Sequence, residues 1–323
     1  MKAIVYRNYG SPDVLNLEEV ERPSPKDDEV LVKVHAVSLN SFDQDLLAGR
    51  FMTRPMGFLK PRHRILGTDI AGRIEAAGVN VETLRLGDEV FGEISRRFIS
   101  AGWGGFAEYV SVRETSMLPK PASMTFEQAA AIPQVGALAL GGLRFNGKIQ
   151  PGQKILMNGA GGGVGTFVLQ IARHFGAEVT GVDSAEKLDM VRSIGADHVI
   201  DYAREDFTRN GQLYDLILDV AASRSTFAYR RALSPGGAYA VIGGSQRRFF
   251  QTVFLGPLIS MFGSKKIGAA GAKPNKGLDF ILDLFEAGKL VPVIDRTYPL
   301  EETADAFRYL GEGRVQGKIV IVV

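Results

Sequence analysis

The stretch Ile155–Asp183, ILMNGAGGGVGTFVLQIARHFGAEVTGVD, constrains the fold more than any other part of the chain. The apolar run Lys154-Ile155-Leu156-Met157 leads into Gly159-Ala160-Gly161-Gly162-Gly163-Val164-Gly165. Val168, Leu169, Ile171, Ala172 and Phe175 then recur at helical spacing, Gly176 sits where a helix stops, and a second β-rich run, Glu178–Val182, delivers Asp183. Small residues suit such a turn because a dinucleotide pyrophosphate must come close enough to bond the free N–H groups at the helix start. An acid about 20 residues further on can hold the adenosine ribose, which is where Asp183 lies. The usual G-x-G-x-x-G spacing reads here as Ala160-x-Gly162-x-x-Gly165, with Ala in the first place. Strand, turn, helix, strand and acid together predict a dinucleotide site on Ala160, Gly162, Gly163, Val164, Gly165 and Asp183 rather than an ordinary loop.

The length of 323 residues suggests about two domains, and 45% hydrophobic with 23% charged residues is ordinary for a globular chain. Basic and acidic residues nearly balance, 38 against 36, so no electrostatic attraction to nucleic acid or an anionic membrane is expected. The absence of cysteine excludes disulfides, thiolate nucleophiles and Cys-based zinc sites, and suits a reducing cytoplasm, where the chain is placed. The N-terminal stretch lacks the continuous apolar segment of a secretory signal. Phe249–Phe262 is the longest apolar-biased run, but Gln251, Thr252, Gly256, Pro257 and Ser260 break it, so no membrane span is expected. It reads as a packed helix or loop, or as a lid or subunit contact.

Residues 1–124 carry short β-rich runs, Ala3–Tyr6, Val30–Val37, Ile70–Ala76 and Phe106–Val112, separated by Pro, Gly and acidic clusters. Thr125-Phe126-Glu127-Gln128 fits a capping box opening the helical run Glu127–Leu143, and a domain boundary is placed there. Over 125–269 the strands Lys154–Met157, Glu178–Val182, His198–Ile200, Tyr214–Asp219 and Ala238–Ile242 alternate with helical segments. That alternation predicts an α/β fold, a doubly wound parallel sheet with the Gly-rich turn on its first strand. Gly243, after the Ala238–Ile242 strand, is read either as an ordinary turn or as a position where the nicotinamide end of a dinucleotide passes. In 270–323, a helix at Leu278–Ala287, an extended run at Val291–Tyr298, a helix at Thr303–Leu310 and a strand at Lys318–Val323 return to complete the first domain. The nucleotide domain is then an insertion, with the active site expected between the two.

Several separate motifs occur in a family order: Asn40-Ser41-Phe42-Asp43, Gly67-Thr68-Asp69-Ile70-Ala71-Gly72, Gly104-Gly105-Phe106-Ala107-Glu108-Tyr109, the Gly-rich turn, Gly195–Tyr202, Gly288–Ile294 and Gly317-Lys318. With them the chain resembles, over its full length, the medium-chain dehydrogenase/reductase superfamily. Within it, the likeness is to the zinc-free quinone oxidoreductases and the mitochondrial reticulon-interacting oxidoreductases. The resemblance implies a Rossmann-type sheet inserted in a mainly β, GroES-like substrate domain. Zinc-dependent members carry C-H-T-D and G-H-E where this chain has Asn40-Ser41-Phe42-Asp43 and Gly67-Thr68-Asp69, so the resemblance implies no zinc.

The resemblance also implies catalytic positions at Asn40, beside the nicotinamide with an amide to offer the substrate oxygen, and at Asp43, where a structural hydrogen bond is the plainer role. Lys187 and Tyr202 match residues that hold the 2′-phosphate of NADPH, Lys187 reading from the sequence alone equally as a solvated helix residue, and Ser184 and Lys318 join the implied cofactor set. Asp183 favours NAD, because a carboxylate repels that phosphate, so use of both NAD and NADP is expected. Phe51 stands where enoyl-thioester reductases have a tyrosine, and Leu138 where many relatives have a threonine. Arg50, Arg54, Lys60, Arg62, His63 and Arg64 form a local basic excess, most simply a solvated loop. The first expectation is a zinc-independent NAD(P)H oxidoreductase sending hydride to a quinone or an α,β-unsaturated carbonyl. Its rivals are an enoyl-thioester reductase and a low-turnover nucleotide-binding protein acting through partners. A homodimer through Phe249–Phe262 is a further expectation.

Overall fold

The computed structural model describes residues 1–50, 59–95 and 104–323. The chain divides into two compact units, residues 1–134 with 294–323, and residues 135–293. Both divisions fall later than the 124/125 and 269/270 boundaries expected from sequence, for local reasons. The Thr125 hydroxyl accepts the Gln128 N–H at 3.2 Å and starts the helix Phe126–Ala130, but Phe126 stacks on the His35 ring at 4.4 Å and so stays with the first unit. The helix Leu278–Glu286 stays with the second, where Leu278, Ile281 and Leu284 are buried and Phe280 stacks on Phe175 at 5.8 Å. Gln170 then anchors Val291, accepting its N–H at 2.8 Å and donating to its carbonyl at 3.1 Å. The single helix expected over Glu127–Leu143 is two, Phe126–Ala130 and Pro133–Leu143. Pro133 has no N–H to continue the first and a φ suited to opening the second.

The second unit carries a six-stranded parallel sheet in the order His198–Asp201, Glu178–Asp183, Lys154–Asn158, Tyr214–Asp219, Leu233–Val241, Lys266–Ala269. In this order the chain reverses direction between the Lys154–Asn158 and Tyr214–Asp219 strands, so their carboxyl ends flank a crevice. Ile155, Leu156, Met157, Ile217, Leu218, Ala240 and Val241 are wholly buried, as expected of parallel strands covered on both faces. The Phe249–Phe262 run lies on the helix Gln246–Met261, with Thr252 and Gly256 buried against the sheet and Phe254, Leu258 and Met261 exposed. Among the described residues, no helix is long and apolar enough to cross a membrane.

In the first unit, a seven-stranded sheet runs Ile294–Pro299, Lys318–Val322, Glu29–Leu39, Asp69–Ala77, Glu89–Glu93, Leu118–Pro119, with Tyr109–Arg113 also paired to Glu29–Leu39. The last strand of the chain lies antiparallel to the far end of Glu29–Leu39, Ile319 opposite Leu39 and Val322 opposite Ala36. Within Glu29–Leu39 only Lys33 and His35 escape burial, because Tyr109–Arg113 covers its first half as well. Gly72 lies where Asp69–Ala77 slips register against that strand, and a Cβ added there would sit 2.1 Å from the Lys33 carbonyl oxygen. Backbone cannot yield as a side chain can. Gly72→Ala is expected to cost at least about 2 kcal/mol, read as a lowered urea midpoint at unchanged slope.

Candidate active site

In the first unit, the Glu29–Leu39 strand hands over at Asn40 to the helix Ser41–Leu47. The buried Asp43 carboxylate accepts the Asn40 N–H at 2.9 Å and the Gly67 N–H at 3.2 Å. Asp43 thus closes the helix start and ties it to Gly67-Thr68-Asp69, using both oxygens in structural bonds. The Asn40 amide is held from two sides. Its oxygen accepts from the Lys318 ammonium, which also donates to the Leu39 carbonyl at 3.0 Å, and its nitrogen donates to Asp69 Oδ2 at 3.0 Å. A second, longer contact runs from Asn40 Nδ2 to Thr68 Oγ1 at 3.5 Å. Asp69 Oδ2 also accepts the Gln134 N–H at 3.2 Å and the Ser38 hydroxyl at 3.4 Å, while the buried Asp69 Oδ1 has no hydrogen-bond partner among the described residues.

Three carboxylates, Asp43, Asp69 and Glu93, and one ammonium, Lys318, are buried in this neighbourhood. Loss of solvent pushes the Asp43 carboxyl up to about 7, against the two N–H bonds that favour its charge. Burial and the nearby Asp69 charge push Glu93 up to about 7. Burial also raises Asp69 and lowers Lys318, and the attraction between the two opposes both shifts. The cluster therefore keeps protons that exposed carboxylates would have released at neutral pH.

The nucleotide turn lies in the second unit. Gly159, at φ +85°, and Ala160 both donate to the Val182 carbonyl, which pins the turn to the neighbouring strand. Gly159 thus makes the tight bend expected of the first fingerprint glycine, and Ala160 fits beside it without a left-handed backbone. An added Cβ at Gly165 would lie 2.4 Å from the Gly159 carbonyl oxygen, so only glycine lets the helix Gly163–His174 pack there. Gly162 precedes that helix with no side-chain cap, leaving the first N–H groups, including those of Gly163 and Val164, open to an anion. These residues fit a dinucleotide pyrophosphate.

Asp183 ends the Glu178–Asp183 strand, buried, with Oδ2 accepting the Gly161 N–H at 2.7 Å and Oδ1 accepting the Ser184 N–H at 2.8 Å. Lys187, expected as a solvated or phosphate-holding residue, is buried with its ammonium 3.7 Å from Asp183 Oδ1. Tyr202 is exposed, and its N–H bonds the Asp183 carbonyl. Gly243 donates to the Asp219 carbonyl at 3.2 Å. Each implied group thus comes together within its own unit: Asn40, Asp43 and Lys318 in the first, Ala160–Gly165, Asp183, Ser184, Lys187, Tyr202 and Gly243 in the second. Lys318, implied as a cofactor ligand, donates to the Asn40 amide oxygen and the Leu39 carbonyl.

Sequence reasoning missed Asp219, whose carboxylate takes Asn158 Nδ2 at 2.8 Å, the Ala221 N–H at 3.0 Å and the Tyr239 hydroxyl at 3.0 Å. It ties the Lys154–Asn158 and Leu233–Val241 strands to the start of the loop after its own strand. It also missed Glu93 and the bonding of Asp69, whose only sequence signal is an acid inside a β-rich run. Leu138 lies half-buried on the helix Pro133–Leu143. Phe51 and Arg54 lie outside the described residues, and Arg50 is not unopposed, being paired with Asp45 at 3.1 Å.

Replacing Glu93 isolates the charge cluster's effect on stability. Its folded-state pKa is raised, so the folded chain binds more protons than the unfolded chain between about pH 4.5 and 7, and that stabilisation is lost as pH rises through the window. Glu93→Gln removes the titration. Its stability relative to the parent is expected to rise by at least about 1 kcal/mol from pH 5 to pH 8, measured by urea unfolding, and no rise would contradict the assignment.

Two family models match, "Alcohol dehydrogenase GroES-like domain" over residues 26–122 and "Zinc-binding dehydrogenase" over 194–321. The chain is 34% identical to the 2-methylene-furan-3-one reductase of Solanum lycopersicum, covering 99% of this chain and 79% of that one. It is 32% identical to the mitochondrial NAD(P)H oxidoreductase RTN4IP1 of Mus musculus, covering 100% and 89%. The solved quinone oxidoreductase from Coxiella burnetii superposes with a TM-score of 0.89 at 26% identity, over 100% of this chain and 99% of that one. With its GroES-like and Rossmann units and these relatives, the chain belongs to the medium-chain dehydrogenase/reductase superfamily, in its quinone oxidoreductase-type group.

Proposed function

We propose that this protein is a zinc-independent NAD(P)H-dependent reductase of α,β-unsaturated carbonyls and quinones. The observation that carries this reading is the pair Asn40 and Thr68. These residues stand where zinc-dependent members have metal ligands, and here an amide nitrogen and a hydroxyl 3.5 Å apart offer hydrogen bonding instead. When bound, NAD(P)H supplies the hydride. The helix start at Gly163 holds its pyrophosphate, and Gly243 leaves room at the nicotinamide end. As the acceptor is reduced, negative charge grows on its oxygen, and conjugation spreads that charge so that a hydrogen-bond donor suffices without a Lewis acid. Asn40 is that donor. The Lys318 ammonium on its oxygen fixes which way the amide faces and polarises its N–H groups; one is spent on Asp69 and the other has only the long Thr68 contact to give up. Asp43 acts by positioning Asn40. An enone is favoured by the Solanum relative, whose name describes an exocyclic enone substrate.

The Asp183–Lys187 pair bears on the coenzyme. With its oxygens on Gly161 and Ser184 and its charge opposed by Lys187, Asp183 repels a 2′-phosphate less than a free carboxylate would. Lys187 and Tyr202 hold that phosphate, and NADPH is the preferred form. The cytoplasm is the compartment proposed, on the cysteine-free composition. The exposed face of Phe254, Leu258 and Met261 is assigned to a homodimer.

Oxidation of NADPH and NADH is to be followed against a quinone, a simple enone and an enoyl thioester. Asn40→Ala is expected to lower kcat by roughly a hundredfold with an enone while NADPH affinity stays within about twofold; an unchanged kcat would remove Asn40 from the reaction. Lys187→Ala is expected to lower the NADPH-to-NADH ratio of kcat/KM by about tenfold or more, the worth of one charge-assisted hydrogen bond. A ratio unmoved by the substitution sinks the phosphate role. Turnover lost on chelation and restored by added zinc would refute the metal-free chemistry.

A further inference from the structure

A cleft rich in arginine lies in the Rossmann unit, lined by none of the residues of the nucleotide turn. A cleft of about 280 Å³ is lined by Arg209, Arg224, Arg231 and Arg248, with Asp206 as its one carboxylate, so four guanidinium groups face a single negative charge. They arrive from separate segments: Arg209 after the His198–Asp201 strand, Arg224 after Tyr214–Asp219, Arg231 at the end of the helix Thr226–Arg231, and Arg248 at the start of Gln246–Met261. Like charges drawn together in this way repel, and Asp206, 3.1 Å from Arg224 and 3.8 Å from Arg209, offsets only part of that repulsion.

Two of the guanidinium groups are aimed by backbone. Arg231 Nε donates to the Thr208 carbonyl at 3.0 Å, and Arg248 Nε donates to the Ser223 carbonyl at 3.2 Å. Arg231 keeps both terminal nitrogens without a hydrogen-bond partner among the described residues, and Arg248 keeps one, its other terminal nitrogen bonding Gln251 Oε1 at 2.9 Å. Side chains already held at Nε lose little further freedom when their terminal N–H groups meet an oxyanion. None of the residues lining the cleft belongs to the set that holds the dinucleotide.

We propose that this cleft binds the diphosphate group of a small phosphorylated metabolite, at the same time as the coenzyme occupies its own turn. A diphosphate matches the local excess of three positive charges and offers oxygens to guanidinium groups on separate walls, which one orthophosphate cannot bridge as well. The near balance of charge over the whole chain argues against an extended polyanion such as nucleic acid.

Calorimetric titration with inorganic pyrophosphate, on cofactor-free and NADPH-saturated protein, tests the proposal. One equivalent is expected to bind in both cases with submillimolar Kd, weakening as salt is added, and orthophosphate is expected to bind at least about tenfold more weakly. The double variant R231Q/R248Q should lose about tenfold or more in pyrophosphate affinity with NADPH affinity unchanged. Should that variant melt early, R209Q, which gives up only an exposed ion pair, is expected to lose about threefold on an intact fold. The site is overturned if pyrophosphate gives no heat, if NADPH displaces it, if orthophosphate binds equally well, or if the folded variants bind like the parent.

Discussion

The buried ammonium of Lys318 is the interaction on which the first unit's site depends. An ammonium leaves water only where other groups replace its solvation. Here the Leu39 carbonyl, the Asn40 amide oxygen and the field of Asp69 and Asp43 do so. The same contacts decide how Asn40 is oriented. Without Lys318, only the Asp69 side of that amide would still be held, and Asp69 would lose the cation that opposes its charge. The site is held by a network of hydrogen bonds, weak singly but directional, in which each member depends on the others.

Comparable logic runs through the nucleotide unit. Asp183 and Asp219 each sit at the carboxyl end of a parallel strand, and each spends its oxygens on the protein's own backbone and side chains. The loops at this edge of the sheet are therefore held in shape by the protein's own groups, which leaves less ordering to be done by anything that binds there.

Much of this was legible in the residues. The glycine turn, the strand–helix alternation and the order of motifs led to the parallel sheet and to its binding edge, because those features act over a few residues at a time. Helix breaks at Pro133 and the exact unit boundaries were harder, since Phe126 and Phe280 are assigned by what they stack on rather than by local propensity. The charge cluster was illegible for a stronger reason. Lys318 and Asn40 are 278 positions apart, and no periodicity or spacing reports a contact made between neighbouring strands so distant in the chain. Asp183 shows the remaining limit: its place at the end of a strand is legible in the sequence, but which groups its oxygens serve depends on the path of Gly161 and Ser184 in space.

The strand Lys318–Val322 leaves the ribosome only after the inserted unit between residues 135 and 293 has emerged. Residues 1–134 must therefore wait, with their central strand lacking a neighbour and Asn40 and Asp69 lacking their cation, while the nucleotide unit can already fold. Synthesis thus imposes an order of assembly in which residues 135–293 are free to mature before Lys318 can reach Asn40 and Asp69.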